Sequence, residues 1–236
     1  LEMARGVLAA AEALRSPVII GTAEVLLHYG PLQELADLLR PMSRRASVPV
    51  VLHFDHGLTF ENTMLALKYG FSSVMYDCST LPYEENLRNV RELTAVAHAF
   101  GATVEAELGH VGNAEGAAEA GADTPEAYYT DPAQARDFVT RTNVDALAIA
   151  AGTAHGAYKF PPKLDFERIE TIAGLIATPL VLHGGSGLTD EDFRRAIRCG
   201  ISKINIFTDL NLAGAQGMQT GLAENKNALT DLIPYQ

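Results

Sequence analysis

The stretch Pro49-Val50-Val51-Leu52-His53-Phe54-Asp55-His56-Gly57 reads as a buried strand that ends in chemistry. A proline opens it and an apolar run continues it. An aspartate and a histidine then arrive just ahead of a glycine and the helix start Thr59-Phe60-Glu61. The junction from strand to helix is where a β/α enzyme carries its site. Two later stretches repeat the design. Ala146 to Gly156 runs apolar into Gly152-Thr153-Ala154-His155-Gly156, and Pro179-Leu180-Val181-Leu182 runs into His183-Gly184-Gly185-Ser186-Gly187. Strands thus deliver His56, His155 and His183 to one rim, each beside glycine. Three neutral imidazoles with a fourth position open are the ligand set of a catalytic zinc rather than a structural one.

Outward from that stretch, short apolar runs alternate with helical spacing along the chain. The pattern predicts a helix over 2–15, a strand over 18–21 and a helix over 31–44, then strand 49–56, helix 59–69, strand 72–78, helix 83–100 and strand 103–109. Some twenty residues rich in alanine, glycine and glutamate follow, a length that in compact domains marks a functional or disordered loop. Helix 131–141, strand 146–151, helix 165–174, strand 179–183, helix 189–199, strand 202–207 and a helix from 209 complete the series. Strict alternation argues for a parallel sheet, and eight such units close as a (β/α)8 TIM barrel. Seven strands are visible and the chain opens in a helix, so the first strand is expected ahead of Leu1. An open doubly wound sheet is the competing architecture, but it would want a Gly-x-Gly-x-x-Gly turn after its first strand, and none is present.

Length and composition fit one domain over residues 1–236: 47% hydrophobic residues suffice for a sizeable core. A formal net charge of -11 without a basic patch argues against nucleic acid or an anionic membrane as partner. Cys78 and Cys199 lie far apart and outside any Cys-x-x-Cys spacing, so neither a disulfide framework nor a cysteine metal site is expected. No apolar run approaches the roughly 20 residues of a membrane span. With no recognisable signal peptide, a reducing cytoplasm is the expected location.

Side chains two apart on a strand share a face, so Asp55 lies with His53, and His56 falls where the strand is turning out. Asp55 and His56 both reach the mouth, and His53 reads as buried support. His28 and His98, on helical stretches, read as ordinary surface or core histidines. Glu105 and Glu107 share the inward face of strand 103–109, and strand 72–78 ends near Asp77 and Ser79. Carboxylates inside a barrel must be paired, metal-bound or catalytic. Glu107 is therefore either structurally paired or part of the metal's surroundings, and Lys203, inward on the last strand, is a candidate partner. The turns Gly184-Gly185-Ser186-Gly187 and Asn205-Ile206-Phe207-Thr208 offer backbone amides and hydroxyls just before helix starts, a composition that cradles phosphate. In this barrel class the loops after strands 7 and 8 hold phosphate.

With Leu52-His53-Phe54-Asp55-His56-Gly57, Val104-Glu105-Ala106-Glu107-Leu108-Gly109, Gly152-Thr153-Ala154-His155-Gly156, Leu182-His183-Gly184-Gly185-Ser186-Gly187 and Lys203-Ile204-Asn205-Ile206 in this order, nearly the whole chain resembles the class II, metal-dependent fructose- and tagatose-bisphosphate aldolases. The resemblance implies Zn2+ held by His56, His155 and His183; the inward carboxylates Asp77 and Glu107, read from their strand positions, are candidates for a second metal position or for supports of the first. It implies a lyase of carbohydrate metabolism such as glycolysis: reversible cleavage of a ketose phosphate, such as fructose or tagatose 1,6-bisphosphate, to dihydroxyacetone phosphate and an aldehyde. A monovalent cation, Na+ or K+, near the phosphate and a homodimer or homotetramer are implied as well. By motif position Asp55 is the acid/base at the C4 hydroxyl, and Asn205 hydrogen-bonds the reacting oxygens. Gly156, Gly184, Ser186 and Thr208, with Asn205, match the phosphate- and substrate-binding positions. The family's Gly-Gly pair after Glu-Leu-Gly is replaced here by Gly112-Asn113, which leaves the aldehyde half of the substrate open.

A base must also move the proton at the carbon that becomes the nucleophile, and a carboxylate on a mobile lid suits that task. Glu115 and Glu119 are the candidates, with Glu115 at the family's loop-glutamate position. Two other readings compete. A lysine-dependent aldolase would use Lys203 as its Schiff-base amine but has no use for three histidines. A non-catalytic sugar-phosphate-binding barrel would not need Asp55.

Overall fold

The computed structural model describes residues 1–111, 128–156 and 162–224. Seven parallel strands stand in sequence order in one sheet: β1 (Val18–Ala23), β2 (Val50–Gly57), β3 (Ser73–Tyr76), β4 (Thr103–Leu108), β5 (Ala146–Ile149), β6 (Leu180–Leu182) and β7 (Ile201–Ile204). Helix α1 (Glu2–Leu14) precedes β1. The helices α2 (Leu32–Arg45), α3 (Phe60–Lys68), α4 (Tyr83–Ala99), α5 (Pro132–Thr142), α6 (Phe166–Leu175), α7 (Asp190–Arg198) and α8 (Thr208–Glu224) follow the successive strands. This is the α/β, TIM-barrel type of fold that the alternation predicts. No eighth strand is found among the described residues, and the position expected for it, ahead of Leu1, falls outside them.

The sheet curls strongly. In a flat sheet β2 and β7, five strands apart, would lie about 24 Å from each other at about 4.8 Å per strand. Instead Asn205 Nδ2, just beyond β7, donates to Asp55 Oδ1 on β2 at 3.3 Å. Lys203 on β7 meets Glu105 on β4 at 2.6 Å across the same interior.

Alternation along the strands sorts the residues. Val104, Ala106 and Leu108 of β4 join the hydrophobic cluster that packs against the helices, as do Leu52 and Phe54 of β2. The opposite face of the same strands carries His53, Glu105 and Glu107, all buried. Helix starts follow their sequence signals. Thr59 accepts from the Asn62 amide at α3, Asp131 caps α5 with Pro132 in its first turn, and Thr189 and Asp192 form a capping box at α7.

Two features differ from expectation. The strands end earlier than the apolar runs do, β3 at Tyr76 and β7 at Ile204, because the residues beyond turn outward to carry side chains to the mouth. Asn205 N–H still donates to the Leu182 carbonyl at 2.9 Å, so the turn remains tied to β6. The run after β1, to which the sequence pattern assigns no element, forms a 3-10 helix, Glu24–Tyr29. Its first residue, Glu24, accepts from the Leu58 and Thr59 amides and thereby holds the start of α3. No helix among the described residues is long and apolar enough to cross a membrane.

At Gly57 the chain passes so close to its neighbours that a Cβ would lie 2.5 Å from the Met75 carbonyl oxygen and 2.6 Å from Thr63 Oγ1. Gly57→Ala is therefore expected to destabilise by about 1–3 kcal/mol, the usual cost of overpacking. Urea unfolding checks this, and an unchanged midpoint would mean that the β2–α3 junction opens freely.

Candidate active site

The end of β2 explains how two neighbouring residues on one strand both reach the mouth. The pairing of β2 with β3 slips between Phe54 and Gly57, and His56 adopts a left-handed backbone with φ 43°. A residue with a Cβ adopts that conformation only when its surroundings hold it there, and such positions gather at functional sites. His56 is held by Asp77, whose Oδ2 lies 2.7 Å from His56 Nδ1, while Asp77 Oδ1 accepts from the Ser79 amide at 3.0 Å.

His56, His155 and His183, from three separate strand ends, come together as one cluster of potential metal ligands within 4.8 Å. Each commits one ring nitrogen to an oxygen. His56 Nδ1 has Asp77, His155 Nδ1 donates to the Val111 carbonyl at 3.2 Å, and His183 Nε2 lies 2.8 Å from Glu105 Oε1. With those nitrogens as donors, His56 Nε2, His155 Nε2 and His183 Nδ1 are left as lone pairs for a metal. Among the described residues His155 Nε2 is buried without a hydrogen-bond partner, and His56 Nε2 faces His183 Nδ1 at 2.8 Å. Two acceptor nitrogens that close need a proton or a cation between them, so the donor set fits a divalent metal. Gly184, with φ 66°, lets the loops after β5 and β6 press together, since any Cβ there would strike the Ala154 carbonyl.

The charges around the cluster are arranged to suit it. Burial pushes the His56 pKa down, but the Asp77 hydrogen bond and the carboxylates of Asp55 and Glu107 outweigh it and raise the value to about 9. His155 is lowered to about 4 by burial and by the two neighbouring imidazoles. Burial would raise the Glu105 carboxyl, yet Lys203, His53 and His183 bring it to about 2. Asp77 is likewise brought to about 2, against burial, chiefly by its hydrogen bond to His56. Glu107 is the exception: burial and the neighbouring Asp77 charge raise it. Its Oε1 accepts the Val111 amide at 2.9 Å, and with His56 and Asp77 it makes a second potential ligand group.

Asp55 stands beside the three histidines on the β2 end. Its carboxyl is held well below the usual range: burial opposes ionisation, but the His53 contact and the surrounding imidazoles favour it more. Asn205 Nδ2 reaches both of its oxygens, at 3.3 and 3.5 Å. Lys203 is engaged by Glu105 rather than free as an amine nucleophile. Of the expected phosphate residues, Gly156 is exposed with open space where a Cβ would lie. Ser186 Oγ accepts the Phe207 and Asp209 amides at 3.3 and 3.1 Å, so it ties the β6 turn to the start of α8 at Thr208. Glu115, Glu119 and Gly112-Asn113 lie outside the described residues.

Three participants had been missed. The Val111 carbonyl orients His155 from another loop, Asp209 Oδ2 accepts the Gly187 amide at 2.9 Å, and Ser73 Oγ lies 2.7 Å from His53 Nδ1. The carbonyl carries no signal in a sequence. Asp209 carries a weak one, as an acidic residue in the first turn of a helix.

Comparison with known proteins identifies the family. The family described as Fructose-bisphosphate aldolase class-II matches residues 1–235, and the chain belongs to it. The chain is 42% identical over 239 aligned residues to a 6-phospho-5-dehydro-2-deoxy-D-gluconate aldolase of Shouchella clausii, covering 100% of this chain and 80% of that protein. The crystal structure of the YdjI aldolase from Escherichia coli K12 is similar at a TM-score of 0.86 and 36% identity, over 100% of this chain and 81% of that one. The fructose-bisphosphate aldolase of Campylobacter jejuni is similar at a TM-score of 0.76 and 25% identity, over 97% of this chain and 75% of that one.

Because the metal-free His56 holds its proton up to about pH 9, a metal must displace that proton, whereas His155 is already neutral at pH 7. Zinc affinity is therefore expected to rise by about tenfold per pH unit between about pH 6 and 8, with about one proton released per zinc bound. Dye competition across that range, with calorimetry in buffers of different ionisation heat, measures both. An affinity independent of pH would contradict the charge assignment.

Proposed function

We propose that this class II aldolase family member catalyses the zinc-dependent, reversible aldol cleavage of a ketose phosphate, such as fructose or tagatose 1,6-bisphosphate, to dihydroxyacetone phosphate and an aldehyde. The single observation that carries the reading is the juxtaposition of a carboxylate with the histidine cluster. Asp55 is within hydrogen-bond reach of Asn205 at the edge of three imidazoles whose other nitrogens are all committed.

His56, His155 and His183 would hold a zinc ion, which would supply a Lewis acid for the C2 carbonyl and for the charge that develops as the C3–C4 bond breaks. The chain's own groups move the protons. In cleavage Asp55 takes the proton of the C4 hydroxyl, the C4–O bond becomes the aldehyde carbonyl, and the bonding pair stays on C3. Glu115, in the stretch of sequence that follows β4, then delivers a proton to C3. Condensation runs the same transfers backward. Asn205 Nδ2 donates to the substrate oxygens that gain charge and keeps Asp55 in place between turnovers. Gly156, Gly184, Ser186 and Thr208 receive the phosphate, with a Na+ or K+ ion beside it. A homodimer or homotetramer in the cytoplasm completes the reading.

One observation favours a second substrate for the same chemistry. The 42% identical relative is named for 6-phospho-5-dehydro-2-deoxy-D-gluconate, and this chain departs from the bisphosphate aldolases at Gly112-Asn113. Aldol cleavage of that acid also yields dihydroxyacetone phosphate, with 3-oxopropanoate in place of a sugar aldehyde. The deciding experiment offers dihydroxyacetone phosphate with a panel that includes glyceraldehyde 3-phosphate and 3-oxopropanoate, with chelator and after zinc is restored. Condensation that chelator abolishes and zinc recovers supports the reading. Turnover that ignores chelator but is lost to borohydride would sink it in favour of a lysine enzyme.

The two proton carriers are separable. Asp55→Ala is expected to keep zinc and the exchange of the carbon-bound proton of dihydroxyacetone phosphate with solvent, yet to slow carbon–carbon cleavage by about 100-fold or more. Glu115→Ala is expected to keep zinc and slow that exchange by about 100-fold. Deuterium exchange followed by NMR reads one step and coupled cleavage assays the other. If Glu115→Ala exchanges normally and Glu119→Ala does not, the role passes to Glu119.

A further inference from the structure

Resting on the aldolase reading above, we infer that His53 and Ser73 form a positioning pair that aims the Asp55 carboxylate at the C4 hydroxyl of the substrate. His53 is 1% exposed, on the inward face of β2 two residues before Asp55. Its Nδ1 is 2.7 Å from Ser73 Oγ at the start of β3. Its Nε2 is buried and has no hydrogen-bond partner among the described residues, yet it faces Asp55 Oδ1 at 3.4 Å and Glu105 Oε2 at 3.9 Å. A polar atom so deeply buried and left unmatched costs free energy unless it acts on something.

The ring's surroundings dictate its tautomer. A nitrogen that faces two carboxylates must carry hydrogen, because a lone pair there would repel both. The neutral ring has one N–H, so Nδ1 is then an acceptor and the Ser73 hydroxyl donates to it. Ser73 thus keeps the hydrogen on Nε2. Of the two carboxylates, Glu105 is already held by Lys203 at 2.6 Å and His183 at 2.8 Å. Among the described residues Asp55 otherwise has the long contacts from Asn205, so it is the natural recipient of the His53 N–H. A separation of 3.4 Å is long for a hydrogen bond, and such contacts commonly tighten once substrate is bound.

Gly21 of β1 lies on the other side of Asp55, and a Cβ placed on it would lie 3.8 Å from Asp55 Oδ2. Oδ1 takes the His53 contact at 3.4 Å and the shorter Asn205 contact at 3.3 Å, while Oδ2 has the Asn205 contact at 3.5 Å and faces a residue without a side chain. Oδ1 is thus the more firmly oriented oxygen and Oδ2 the one offered to the proton.

The test uses the zinc-loaded full chain and measures two rates on each variant: condensation of dihydroxyacetone phosphate with glyceraldehyde 3-phosphate or 3-oxopropanoate, and solvent exchange of the carbon-bound proton of dihydroxyacetone phosphate alone. Only condensation uses Asp55. His53→Phe is expected to lower the condensation kcat by about 100-fold, the range of a general acid or base, and Ser73→Ala by about tenfold. KM for dihydroxyacetone phosphate, zinc content and exchange should stay at wild-type values. His53→Gln, whose amide N–H can stand in for Nε2–H, should recover most of the loss. If His53→Phe does not fold, Ser73→Ala decides. Condensation and exchange falling together, or condensation unchanged in Ser73→Ala and in any folded His53→Phe, overturns the pair alone. A wild-type protein with neither rate overturns the aldolase reading and the pair with it.

Discussion

Glu105 is a carboxylate almost entirely removed from solvent, and the site depends on how that buried charge is matched. Lys203 holds it at 2.6 Å from β7 and His183 at 2.8 Å from the end of β6, so three strands are tied together through one side chain of β4. Burial of an unmatched carboxylate would cost several kcal/mol or force it to take up a proton. Here the partners win, and the group stays ionised. An ionised Glu105 in turn dictates that His183 donates through Nε2 and keeps Nδ1 as a lone pair directed at the other two histidines. The metal site is thus prepared from behind, by charge placement in the barrel interior.

The same principle governs the rest of the rim. Asp77 does for His56 what Glu105 does for His183, and the Val111 carbonyl does it for His155. Glu105 (paired with Lys203), Asp77 and the Val111 carbonyl thus decide the tautomers of the three imidazoles, while the buried Glu107 beside them is the carboxylate whose pKa is raised. Asp55 sits at the edge of the same cluster. It belongs to the β2 strand, but the slip in pairing at Phe54 and the left-handed turn at His56 place it and its neighbour on the same mouth. The backbone conformation at His56 is compatible with function only because Asp77 anchors the ring.

Much of this was legible in the sequence because it depends on period and position. Apolar runs that end in histidine beside glycine mark strand ends, and the two-residue period assigns Glu105, Glu107, Lys203 and His53 to the interior. What was not legible depends on the curl of the sheet. Nothing in a one-dimensional pattern brings Asn205 to within 3.3 Å of Asp55 or assigns Lys203 to Glu105 rather than Glu107. Backbone partners such as the Val111 carbonyl have no residue-type signature. A serine in a strand carries no signal of its own, and the contact of Ser73 with His53 emerges only from the pairing of β2 with β3. The strand ends were overestimated for a related reason, since Asp77 and Asn205 prolong the strand pattern while their side chains serve the site.

The central claim is that His56, His155 and His183 are prepared to hold one catalytic metal ion. The most direct measurement is an anomalous-scattering map at the zinc edge from crystals of the zinc-loaded protein. The account predicts one peak bonded to His56 Nε2, His155 Nε2 and His183 Nδ1 at about 2.0–2.1 Å, with Asp77, the Val111 carbonyl and Glu105 still on the opposite ring nitrogens. Zinc bound without His155 and His183, for example by carboxylates alone, would contradict it.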